Sequence, residues 1–113
     1  MITLVGSSRW RFHRVAVSGD SMRPAFEPGD RILVVPAICV RPGHVVAVRD
    51  PRQPDRLLVK RVQSIASGLV DVRGDNQGAS TDSRDFGPVP RSSVAGRVVY
   101  RYAPPERAGR LPG

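Results

Sequence analysis

Leu57-Leu58-Val59-Lys60-Arg61-Val62 reads as a β-strand whose period of two puts Lys60 on one face with Leu58 and Val62, and Arg61 on the other. Lys60 is the one lysine of a chain that carries 17 arginines. Arginine supplies positive charge everywhere else, so the exception asks for a chemical reason. An arginine stays protonated in a protein, whereas a lysine can lose its proton if burial lowers its pKa. An amine on an apolar strand face is either a misread strand phase or a general base, and the rest of the chain decides which.

The rest of the chain has the same β character. Strands are expected at Phe12 to Val17, Arg31 to Val35, His44 to Arg49, Leu57 to Ser64, Leu69 to Arg73 and Val94 to Tyr102. Turn residues bound them: Glu27-Pro28-Gly29-Asp30, Arg41-Pro42-Gly43, Asp50-Pro51 to Pro54-Asp55, and Ser67-Gly68. Ser21 to Phe26 is expected to manage a helical turn at most, since Pro24 limits it. The fold class is mainly β, one small domain of coiled antiparallel sheets forming a distorted barrel. Residues 1–102 are assigned to the domain and 103–113, beginning Ala103-Pro104-Pro105, to a disordered tail.

Composition sets further bounds. With 113 residues there is room for one modest core, and aromatics at 5% leave that core to Val, Leu, Ile and Ala. The net charge of +8 raises nucleic acid as a partner. The arginines, however, are scattered and rarely interleaved with the aromatics of a stacking platform, so coding bias is the simpler source and no nucleic acid is expected. Cys39 is alone in the apolar stretch Val35 to Val40 and is expected to be a small buried hydrophobe. No metal site and no cofactor are indicated. No apolar run approaches the length of a transmembrane helix, so the chain is expected to be unanchored and cytoplasmic, with peripheral membrane association as the alternative.

Four segments could carry chemistry. Val17-Ser18-Gly19-Asp20-Ser21-Met22-Arg23-Pro24 ends a strand, turns at Gly19 and presents Ser21. Gly29-Asp30-Arg31-Ile32-Leu33-Val34 is a tight turn into an apolar strand, and for Asp30 a plain hairpin corner suffices. Lys60 is the third. The fourth, Gly74-Asp75-Asn76-Gln77-Gly78-Ala79-Ser80-Thr81-Asp82-Ser83-Arg84-Asp85-Phe86-Gly87, is a polar loop dense in hydroxyls and carboxylates. His13 and His44 have no carboxylate partner at a suggestive spacing, so a Ser-His-Asp triad is not expected.

In this order the segments resemble the signal-peptidase family of Ser/Lys-dyad proteases. The nucleophile motif is matched by Ser21-Met22-Arg23-Pro24, the Gly-Asp motif by Gly29 to Val34, and the base motif by Lys60-Arg61-Val62. The last motif is matched from Gly74 to Gly87. The resemblance implies a serine endopeptidase in which Ser21 attacks and Lys60 is the base. It further implies that Ser80 holds the lysine amine, and that Asp82 and Arg84 form an ion pair fixing that loop. The Ser21 backbone N–H would be the oxyanion donor. Met22, Pro24 and Gly19 belong to the nucleophile motif. Gly19 stands where some members carry a serine hydroxyl as second oxyanion donor, as it does in other members. The partner implied is a precursor protein, its N-terminal extension bound as an extended peptide.

Within the family, Val15 to Met22 and Val72 to Pro90 are similar to the maturation proteases of nickel-type superoxide dismutase. That similarity implies removal of a short N-terminal extension from the dismutase precursor by an enzyme that itself needs no metal. The alternatives are a type I signal peptidase cleaving secretory preproteins and a basic β-barrel that binds nucleic acid. An autocleaving repressor ranks lower, because no Ala-Gly or Cys-Gly precedes Ser21. Oligomeric state is left open.

Overall fold

The computed structural model describes residues 2–7, 13–37 and 39–111. Among these residues nine strands pair antiparallel: β1 (Ile2–Ser7), β2 (His13–Val17), β3 (Arg31–Val35), β4 (Val45–Asp50), β5 (Gln53–Ala66), β6 (Leu69–Arg73), β7 (Val89–Pro90), β8 (Val94–Ala103) and β9 (Gly109–Arg110). A single helical turn, α1 (Ser83–Phe86), lies between β6 and β7. The sheet order is β1-β2-β3-β8-β4-β5-β6-β7, with β9 against β8. Ile2 of β1 also pairs with Leu57 of β5, which closes β1, β2, β3, β8, β4 and β5 into a barrel. The fold is the mainly β, distorted barrel expected.

Two apolar cores follow from the phase of the strands. Val15, Val17, Met22, Phe26, Ile32, Val34, Val45, Ala47, Val59 and Val98 form the first. Val46, Val48, Leu58, Val62, Val70, Val72, Val89 and Val94 form the second. Successive residues of β4 therefore enter different cores, which is why Val45–Val48 shows no polar alternation. β5 does the same: Val59 faces the first core, and Leu58 and Val62 the second. β5 is also long enough to change partner. It pairs with β4 up to Arg61 and with β6 from Arg61 onward, so Lys60 sits where the strand passes from the barrel to the outer hairpin.

Six strands lie where the sequence places them, within a few residues at their ends. Phe12, the expected start of one, lies outside the described residues. β1 and the two-residue β7 and β9 were not foreseen. The chain after Tyr102 differs from the disordered tail expected of it: a 3-10 turn at Pro105–Arg107 leads into β9, which returns along β8. Cys39 requires a correction. It is exposed, because β3 ends at Val35 and the apolar stretch continues as loop.

Candidate active site

The turn carrying Ser21 grows from the end of β2. Val17 N–H donates to Asp30 O and Gly29 N–H donates to Val17 O, both at 2.8 Å, pinching the loop at its neck. Gly19, at φ +82°, makes the reversal there, in a region where a side chain would be strained. Beyond it, Arg23 N–H donates to Asp20 O at 3.1 Å and Phe26 N–H to Met22 O at 2.9 Å. These bonds close Ser21 to Phe26 as a turn rather than the helical turn expected, and the Arg23–Pro24 peptide within it is cis. Met22, 2% exposed, and Phe26, 1% exposed, anchor the turn in the first core and leave Ser21 at its rim, 9% exposed.

Lys60 is only 2% exposed. Its strand neighbour is Val46, and Leu58 and Val62 flank it on the face of the second core. Burial pushes its pKa below the usual lysine value. Asp82 opposes that shift, while Arg84 and Arg52 add to it. The amine donates to Ser80 Oγ at 2.9 Å, and Ser80 Oγ donates to Asp82 Oδ2 at 2.7 Å. With its own proton committed to Asp82, the Ser80 hydroxyl accepts from the lysine and leaves the lone pair of a neutral amine unused. Such an amine can take a proton from a third group.

Asp82 is fully buried and is the hub of the loop. Its Oδ2 accepts from Gly74 N–H at 2.8 Å and Arg84 Nη2 at 2.6 Å, and its Oδ1 from Arg84 Nε at 2.9 Å. It also caps α1, accepting from Arg84 N–H, while Asp85 accepts from Asp82 N–H in return. Burial alone would raise this carboxyl. The Arg84 guanidinium, the Gly74 N–H and the Ser80 hydroxyl outweigh it and hold the pKa well below the usual carboxylate range.

Ser21 meets this cluster through its main chain. Asn76 N–H donates to Ser21 O at 2.8 Å, and Asn76 Nδ2 donates to Asp20 O at 3.1 Å. A Cβ built on Gly74 would stand 2.2 Å from Ser80 Oγ and 2.6 Å from Ser21 O. Only glycine lets the two serines approach from either side of that point. Arg61, on the opposite face of β5 from Lys60, forks onto Asp75 with two bonds of 2.9 Å. Consecutive residues of β5 thus hold the same loop from two sides.

Ser21, Lys60, Ser80, Asp82 and Arg84 are thereby brought together around Gly74, with Gly19 and Met22 shaping the turn. Pro24 is exposed on that turn. Gly74 and Asn76 were not singled out from the sequence, although the Gly74-Asp75-Asn76 run contained both. His44 Nδ1 accepts from Arg41 N–H at 3.2 Å, and burial with the charges of Arg97 and Arg41 lowers its pKa. The side chain of His13 lies outside the described residues. Among the described residues, no cluster of three or more His, Cys, Asp or Glu could hold a metal ion.

The Peptidase S24-like family profile matches residues 11–99. The chain belongs to the Peptidase S24-like family. It is 32% identical to mitochondrial ATP-independent inner membrane protease subunit 1a of Arabidopsis thaliana, over 93% of this chain and 79% of that protein. It is also 32% identical to mitochondrial inner membrane protease subunit 2 of Schizosaccharomyces pombe, over 84% of this chain and 67% of that protein. A shorter match, 44% identical over 38% of this chain, is to thylakoidal processing peptidase 1 of Arabidopsis thaliana. As a Peptidase S24-like protein of the signal-peptidase kind, the chain is a serine-type peptidase whose substrate is a protein.

The relatives also correct the expected location. Proteins that share most of this chain are named for an inner membrane, which points to a membrane rather than the cytoplasm. The inference from hydropathy failed because it tests only for a spanning helix. No helix among the described residues is long and apolar enough to cross a membrane, and a peptidase domain can work at a membrane without one.

Proposed function

We propose that this peptidase removes a short N-terminal extension from a precursor protein through a Ser21–Lys60 dyad, and that the precursor is that of nickel superoxide dismutase. The observation that carries the dyad is the buried Lys60 amine, held by the Ser80 hydroxyl that Asp82 in turn orients. Ser21 Oγ attacks the scissile carbonyl carbon as Lys60 Nζ takes its proton. The oxyanion is held by the Ser21 N–H. Lys60 returns the proton to the departing amine, leaving an acyl ester on Ser21. Lys60 then deprotonates the water that attacks the ester and frees the serine. Lysine can perform both steps because desolvation brings its pKa down toward the working range.

Two cavities lie beside this end of the barrel. One, of about 260 Å³, is bounded by Ala25, Phe26, Val45, Arg61, Arg101 and Leu111. The other, of about 330 Å³, has Arg61, Gly74, Asp75 and Arg84 among its walls. Their position on either side of Arg61 suits an extended peptide with side chains in both. Support for the dismutase precursor comes from the similarity of Val15 to Met22 and Val72 to Pro90 to the dismutase maturation proteases. The relatives named as inner membrane protease subunits and thylakoidal processing peptidase favour a second reading, the cleavage of preproteins at a membrane.

The test incubates the protein, and its Ser21→Ala variant, with a nickel dismutase precursor and separately with a secretory preprotein. New N-termini are read by mass spectrometry. Cleavage of the dismutase precursor by the wild type alone is expected. Cleavage confined to the preprotein would select the second reading, and cleavage by Ser21→Ala would remove the dyad.

A further inference from the structure

The family match ends at residue 99, and the chain beyond it is built against the turn that carries Ser21. β9 returns along β8 through Tyr100↔Arg110 and Arg101↔Gly109. Leu111 N–H then donates to Val99 O at 3.2 Å, and its side chain packs on the first core. Two arginines of this extension converge on Asp30, which is 2% exposed. Arg107 forks onto it, Nε to Oδ1 at 3.3 Å and Nη2 to Oδ2 at 3.1 Å. Arg101 Nη1 reaches the same Oδ2 at 3.1 Å. Asp30 also accepts from Glu27 N–H at 2.9 Å, so it is more than the hairpin corner its sequence suggests.

Arg101 is the link to the nucleophile turn. Its Nη1 donates to Ala25 O at 2.7 Å, and its guanidinium lies 5.5 Å from the centre of the Phe26 ring. Its Nε donates to Arg107 O at 2.7 Å. The turn is therefore held at both ends, by Asn76 at Asp20 and Ser21 and by Arg101 at Ala25. Removing the Arg107 side chain would leave that main-chain bond in place but take away the fork that fixes the Asp30 carboxylate, which Arg101 shares.

We propose that Asp30, Arg101 and Arg107 form a positioning cluster through which segment 104–111 holds the Ser21 turn in its reactive geometry. The proposal rests on Ser21 being the nucleophile. Arg107 is the informative member, because Arg101 and Leu111 line the 260 Å³ cavity and Arg107 does not. Its loss should move the turn and leave substrate binding alone. Reactive geometry is sensitive to such movement: a misplacement of about 1 Å can cost about 100-fold in rate.

The experiment compares Arg107→Ala, Arg107→Lys and Ser21→Ala in the full chain, with folding followed by circular dichroism. The substrate is a quenched fluorescent peptide spanning the bond identified in the precursor assay. Arg107→Ala is expected to lower kcat about tenfold, with KM within about twofold of wild type. Arg107→Lys is expected to recover most of the loss, since its ammonium still pairs with Asp30. Wild-type kcat in folded Arg107→Ala, or a raised KM at unchanged kcat, overturns the cluster's role. If Arg107→Ala does not fold, Arg107→Gln is judged by the same split. Activity in Ser21→Ala removes the nucleophile and this proposal together, whereas a dead Ser21→Ala beside an unaffected Arg107→Ala removes this proposal alone.

Discussion

Replacing Asp82 with asparagine keeps the side chain's volume and removes its charge, and the structure gives the consequence on two scales. Asp82 Oδ2 accepts from Gly74 N–H and Ser80 Oγ, and Oδ1 accepts from Arg84 N–H. An asparagine has one acceptor oxygen, so whichever way it turns, its NH2 faces a backbone donor. A buried donor left without an acceptor costs roughly 2 kcal/mol, which in a domain of this size lowers Tm by about 10 °C. The wild-type carboxyl is held below the usual range, so its contribution is complete above the unfolded pKa and fades as pH falls through the folded one. The variant's deficit should therefore shrink in acid.

The effect on catalysis has a sign that sets it apart from simple damage. Asp82 raises the Lys60 pKa against the dominant effect of burial. Removing that charge lets the lysine pKa fall further. Asp82→Asn should then lower kcat through a loosened Ser80 and at the same time shift the acid limb of the kcat–pH profile to lower pH. Thermal melts at several pH values, with the pH profile of peptide cleavage, read both effects. An acid limb that moves upward, or a Tm equal to wild type, would refute the electrostatic reasoning.

Gly74→Ala places a methyl group 2.2 Å from Ser80 Oγ and 2.6 Å from Ser21 O. It should abolish cleavage and cost about 1–3 kcal/mol in a denaturant melt, whereas Gly78→Ala, where a Cβ meets nothing within 4 Å, should be silent in both. Lys60→Met tests the burial itself. Between the depressed folded pKa and the usual 10.5, the unfolded chain binds more protons, so wild-type stability rises with pH across that window. The methionine variant should therefore gain more Tm near neutrality than near about pH 10, and an equal gain at both would show that Lys60 is not desolvated.

Much of this site is legible from local pattern. A period of two around Leu58, Lys60 and Val62 puts the amine on a buried face and Arg61 on the other, as found. The same pattern does not show that Val59 is buried too, because β5 lies between two cores and alternation then reports which core a residue enters. Ser80 and Asp82 sit in a segment without periodicity. Only the ordered motifs indicate them, since their partner Lys60 lies on a distant strand. Cys39 misleads because an apolar run continues past the end of β3. The C-terminal segment is illegible for a related reason: a two-residue strand carries no pattern, and Arg107 finds its carboxylate at Asp30, far back along the chain.

Lys60→Arg tests the central claim most directly, because it keeps a long basic side chain with a hydrogen-bond donor and removes the capacity to lose a proton. Measured on the peptide substrate, with circular dichroism to establish the fold and Lys60→Met as a folded apolar companion, it should reduce kcat/KM by about 10⁴-fold or more. A folded Lys60→Arg enzyme within about tenfold of wild type would show that Lys60 is not the base.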